Sequence, residues 1–144
     1  MSYSFAEGYA EGFYNEVLRL KDGEYVELRA IVSPPNPDIK TVQSWVNTPE
    51  GFLTFSRHWN GRRHVYAGAN PRREKGGSKA EDVSRITVIP FDVDAERAPG
   101  YEKDAATDEE LKTAEDKKNR LVKWLKERGF NTPYVDFSGN GYRV

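Results

Sequence analysis

Residues 86–94, ITVIPFDVD, decide how this chain is read. An apolar run ends in two aspartates, Asp92 and Asp94, with one residue between them. Side chains of a strand alternate faces, so both carboxylates point the same way and Val93 points into the core. Their α-carbons then lie roughly 6–7 Å apart, within reach of one cation or a pair of cations. Like charges held side by side are costly unless something positive lies between them. A divalent metal meets that need most simply. An Asp-x-Asp pair at a strand end also serves as a solvated turn former or helix cap. Pro90 is an objection to a continuous ladder here, because proline donates no hydrogen bond.

The 144 residues include no cysteine and two histidines, His58 and His64. Disulfides, thiolate zinc sites and histidine-rich metal sites are therefore excluded. Any metal is held by oxygen, which suits Mg2+ or Mn2+. No apolar run approaches the roughly 20 residues needed to cross a bilayer, and no basic leader opens the chain. The expected location is the cytoplasm, with no membrane partner. Residues 1–144 are expected to form a single domain or the N-terminal part of a longer one, because Tyr142-Arg143-Val144 reads as a strand only just begun.

Net charge is −1, which argues against a generic DNA-coating protein. Residues 57–85 nevertheless carry eight cations (Arg57, Arg62, Arg63, Arg72, Arg73, Lys75, Lys79 and Arg85) against three acids (Glu74, Glu81 and Asp82). That basic band lies just before the acidic pair. Arg72 and Arg73 follow an expected strand, in the run Asn70-Pro71-Arg72-Arg73, where arginines can meet the phosphates of a nucleotide or a nucleic acid. Arg57, Arg62, Arg63, Arg73 and Lys75 are candidates for nucleic-acid contact. A solvated basic loop is the plainer reading of the same residues.

Periodicity predicts a helix within residues 1–20, a strand over 25–31 and a short helix over 37–46. It further predicts a strand over 52–59 that turns at Asn60-Gly61 into a returning strand over 65–69. Strand 85–94 follows. The best-signalled element is a helix over 107–128, opened by the Thr107–Glu110 capping box and stopped by Gly129. Leu111, Ala114, Lys118, Leu121, Val122 and Leu125 form its inner stripe, with Lys118 snorkelling at the edge. Trp45, Trp59 and Trp124 read as packing residues. A strand over 134–137 and a tight turn over 138–141 complete the pattern. Strand–helix–strand order gives parallel strands by a right-handed crossover, so the expected fold is α/β with a mixed sheet.

The turn Ser138-Gly139-Asn140-Gly141 and the following Arg143 form the second motif. Two glycines allow backbone N–H groups to gather around an anionic oxygen. Ser138 adds a hydroxyl, and Arg143 a forked cation that can grip phosphate with two bonds. An ordinary glycine hairpin has the same sequence. The crossover topology brings Ser138 and Asp92 to one edge of a sheet, where ligands commonly bind.

Together, Asp92/Asp94, the 138–143 segment and the upstream Val65–Arg72 run resemble the archaeo-eukaryotic primase superfamily, especially primase–polymerases of plasmids, phages and other mobile elements. The resemblance covers about residues 50–144. It implies a primase–polymerase-like catalytic core. It also implies metal-dependent nucleotidyl transfer, as DNA primase or DNA polymerase, in primer synthesis or extension. Asp92 and Asp94 would be metal ligands, and Ser138, Gly139, Asn140, Gly141, Arg143 and Arg72 would contact a nucleoside triphosphate. A single-stranded DNA template and a helicase domain or partner are the implied partners. Two departures stand out: Arg143 occupies a position where the family usually has histidine, and the family's third carboxylate comes from a later strand. Asp136 is the only acid close to the second motif. A non-catalytic nucleotide or single-strand binder and a metal-dependent nuclease are the alternative readings.

Overall fold

In the computed structural model, residues 5–34, 36–101 and 104–144 are described. The chain divides into two compact units, residues 1–89 and 90–144. Both are mixtures of helix and antiparallel sheet.

The first unit opens with helix α1 (Glu7–Gly12), which runs on as a π-helical segment over Phe13–Leu18. Arg19, at φ 47°, ends it. Strand β1 (Val26–Ile31) lies at the centre of a three-stranded sheet, between β2 (Val42–Val46) and β3 (His64–Ala67). Both neighbours are antiparallel to it. Period-two alternation in β1 puts Val26, Leu28 and Ala30 on one face, and all three are fully buried. Tyr14, Leu18 and Phe52 join Val26 and Leu28 in the core. Phe52 belongs to helix α2 (Pro49–Trp59), whose ring lies 5.4 Å from that of Tyr14.

Two sequence expectations fail here for identifiable reasons. Residues 52–59 are helical, not a strand. Thr48 caps α2 by accepting from the Gly51 amide at 3.1 Å, and Pro49 stands in its first turn, where a missing N–H does no harm. Asn60-Gly61 is a turn, with Gly61 at φ +74°, but it joins a helix to a strand. Residues 42–46 form a strand, not the end of a helix: Val42, Ser44 and Val46 alternate opposite Ala30, Leu28 and Val26.

The other face of β1 carries Glu27, Arg29 and Ile31, of which Glu27 is buried. Glu27 is 3% exposed. Its Oε1 accepts from Arg29 Nε (2.7 Å), Gln43 Nε2 (3.0 Å) and Ser78 Oγ (3.0 Å), and its Oε2 from Arg72 at 3.1 Å. Burial pushes the Glu27 carboxyl up, but Arg29, Ser78 and Gln43 together hold it below its usual range.

Glu24 forms a second such cluster. Arg85 reaches both its oxygens at 2.8 Å, Ser84 donates at 2.6 Å, and the Lys21 amide at 2.9 Å. The Arg85 hydrogen bond chiefly, with Ser84 and Lys21, lowers the Glu24 carboxyl to about 2 from 4.5 against the opposing effect of burial. The folded state therefore gains stability above the unfolded value and loses it as pH falls from about 4.5 towards 2. We expect acid titration of unfolding to show about 2 kcal/mol of such loss, after allowance for solvent screening. That loss should be missing in Glu24→Gln. Parallel curves for the two proteins would rule the cluster out as the cause.

Residues 84–91 lack the ladder expected of a long strand. The Asn70 side chain stands in for a neighbouring strand, accepting from the Thr87 and Val88 amides at 2.7 and 3.0 Å and donating to the Val88 carbonyl at 3.1 Å. Pro90 follows, and strand β4 is only Asp92–Asp94.

The second unit contains β4, helix α3 (Asp108–Glu127), β5 (Asp136–Phe137) and β6 (Gly141–Arg143). The Thr107–Glu110 capping box is present, and Gly129 at φ +79° closes the helix. The Phe130 amide reaches the Leu125 carbonyl and the Gly129 amide that of Lys126, a Schellman ending. Sheet order is β4–β6–β5, antiparallel throughout. β4 and β5 do run parallel across the helical connection, but β6 lies between them. The expected mixed sheet is thus two antiparallel ones. Helix α3 covers the face carrying Tyr142; Lys118, expected to snorkel, instead turns inward with its Nζ 4.6 Å from that ring.

Candidate functional site

The acidic pair and the glycine turn meet in the second unit. Register aligns Asp92 with Arg143, Val93 with Tyr142, and Asp94 with Gly141. On the far side of β6, Asp136 is also opposite Arg143. Directly opposed residues share a sheet face. Asp92, Asp94, Arg143 and Asp136 therefore occupy the face turned away from α3, while Val93, Tyr142 and Phe137 occupy the other. The alternation expected for Asp92 and Asp94 is realised, and both are exposed.

The ladder explains how close the two strands come. Phe91 and Val144 exchange amide–carbonyl bonds at 2.8 and 2.9 Å, which makes Asp92–Arg143 and Asp94–Gly141 the pairs without mutual backbone bonds, where α-carbons approach most closely. At Gly141 a Cβ would stand 2.5 Å from the Val93 carbonyl oxygen and 3.0 Å from Asp94 Oδ1. Only glycine fits. Gly141→Ala should force β4 off β6 and loosen the unit by about 1–3 kcal/mol. Amide hydrogen exchange at Val93 and Tyr142 would then rise roughly 5- to 150-fold; unchanged exchange would show that the sheet tolerates the methyl group.

The turn is braced from within. Gly139, at φ +98°, forms its exposed tip. Ser138 donates both its amide (2.9 Å) and its hydroxyl (3.1 Å) to the Gly141 carbonyl. The Asn140 carbonyl accepts from the Ala95 amide and its side-chain oxygen from the Ala106 amide, each at 3.2 Å. Asn140 thus ties the turn to the chain leaving the acidic pair and to the chain entering α3.

Arg143 is exposed, and its guanidinium lies 3.1 Å from Asp136 Oδ2. A positive charge therefore already stands in the carboxylate row. Among the described residues no group of three or more acids or histidines is gathered to hold a metal. Asp92 and Asp94 remain a fitting oxygen donor set, since Mg2+ is usually held by one or two carboxylates together with substrate phosphates.

The other predicted residues belong to the first unit, and most have partners there. Arg72 donates to Glu27 and, at 3.2 Å, to the Lys79 carbonyl. Arg57 pairs with Glu7 at 2.8 Å. Arg63 donates to the Lys40 carbonyl at 2.8 Å and stacks 4.8 Å from the Trp59 ring. Arg73 donates to the Val83 carbonyl at 2.9 Å. Arg62 and Lys75 are exposed. Of the basic band, Arg72 and Arg85 are counter-ions of the buried Glu27 and Glu24. Trp124, expected to pack, is 47% exposed. No protein-family model, curated protein or solved structure matches the chain.

Proposed function

We propose that the chain carries out metal-dependent nucleotidyl transfer in primer synthesis or extension, as its resemblance to the primase–polymerases implies. The observation supporting this most directly is the Asp94–Gly141 pairing, which sets the acidic pair beside the glycine turn on neighbouring strands. Asp92 and Asp94 would hold Mg2+ or Mn2+, whose charge would stabilise the attacking hydroxyl and the departing pyrophosphate. Arg143, released from Asp136, grips triphosphate oxygens. Gly139, the exposed tip of the turn, lets the triphosphate approach the backbone without side-chain obstruction.

The test is manganese-dependent incorporation of dNTPs or NTPs on primed and unprimed single-stranded templates, with Asp92 and Asp94 substituted in parallel. No incorporation by the unmodified chain under any of these conditions would reject the activity. A second reading, nucleotide or single-strand binding without catalysis, draws on Arg143: the guanidinium on Asp136 supplies positive charge to the row without a metal. That reading requires nucleotide binding to survive chelation.

A further inference from the structure

Helix α3 is electrically divided. Residues 108–116 carry Asp108, Glu109, Glu110, Glu115 and Asp116 against Lys112 alone, whereas residues 117–128 carry six cations against Glu127. Two of those cations turn inward, Lys117 to Glu96 and Lys118 to the Tyr142 ring. Lys123 shares a solvated contact with Glu127 at 3.8 Å, which binds weakly. Arg120 and Lys126 are exposed and join none of the ion pairs among the described residues.

Arg120, Trp124 and Arg128 recur every four residues and so form one stripe, beside the buried face marked by Ala114 and Leu125. Arg128 carries its guanidinium carbon 3.9 Å from the centre of the Trp124 ring. The Trp124 ring is half open to water, with one arginine stacked on it and another a turn away. Phe130, also exposed, extends the apolar surface past the helix end.

We propose that the Arg120–Trp124–Arg128 stripe binds single-stranded nucleic acid. Backbone phosphates meet the cations, and an unpaired base adds to the Trp124–Arg128 stack, since bases stack on both aromatic rings and guanidinium planes. The acidic first half of α3 repels phosphate and confines the strand to the second half. Duplex fits less well, because its bases are already stacked. The inference rests on the nucleic-acid reading above but uses none of the acidic row.

The test is anisotropy of labelled oligo(dT) with the full chain in EDTA, run in parallel on Asp92→Asn/Asp94→Asn. Trp124→Ala should weaken binding roughly tenfold, and Trp124→Phe should restore most of it. Arg120→Gln should reduce the slope of log affinity against log salt by about 0.7. The double aspartate variant should bind like the unmodified chain, which separates this surface from the proposed chemistry: incorporation can be absent while binding persists. No binding at low salt, or binding indifferent to all the α3 substitutions, would overturn the assignment. Tighter binding of an oligoglutamate than of oligo(dT) would overturn it too, in favour of an acidic protein segment.

Discussion

Asp92→Asn combined with Asp94→Asn is expected to lower manganese-dependent incorporation by roughly 100- to 1,000-fold or more. Both side chains are exposed on a three-residue strand, so their neutralisation removes cation ligands without opening a core. Asparagine preserves shape and the backbone ladder, and circular dichroism should be unchanged. The loss should appear with either primed or unprimed template, because under the proposed function the residues act on the transferred group and not on the strand that is copied. Activity within a factor of about three of the unmodified chain would remove the pair from the mechanism, whatever else the protein does.

The largest expected effect on stability lies elsewhere, at Glu27. Glu27→Ala leaves the donors of Arg29, Gln43, Ser78 and Arg72 facing a cavity, with two guanidinium groups losing their counter-ion. Removing one partner of a buried charged network costs about 3–5 kcal/mol. A domain is stable by only about 5–15 kcal/mol, so the first unit should be close to unfolding. Glu27→Gln keeps the volume and one acceptor oxygen and should cost less. Denaturant unfolding of the three proteins checks the order; a loss under about 1 kcal/mol in Glu27→Ala would show that the cluster rearranges or hydrates freely. The same network explains why Arg72 makes a poor free phosphate ligand: moving it would strip the buried Glu27 of a partner.

The parts of this structure legible in the sequence are those whose signals are local. The α3 boundaries follow from Thr107, Glu110 and Gly129. The common face of Asp92 and Asp94 needs only a period of two. The Asp136–Arg143 pair follows from the Ser138–Gly141 turn, which fixes the hairpin register. Helix α2 begins at a Thr48 cap with Pro49 in its first turn, a start that a reading led by the Asn60-Gly61 hairpin signal passes over. What local reading could not reach depends on distant partners. The Asn70 amide that occupies residues 87 and 88 lies 17 and 18 positions away. The acids that engage Arg72 and Arg85 lie 45 and 61 positions away. A window of residues 57–85 therefore counts Arg72 and Arg85 as free charge, although the folded unit pairs them with Glu27 and Glu24. Trp124, beside the inner stripe, is about half buried, as a partial-core residue.

The row made by Asp92, Asp94, Asp136 and Arg143 holds three carboxylates and one guanidinium, a formal surplus of two negative charges. A bare polyphosphate approaching it is repelled. One doubly charged ion brings the surface to balance, and a second reverses its sign. Under the proposed reading, the order of arrival is thereby built into the sheet: cation first, nucleotide after, or the two as a pair.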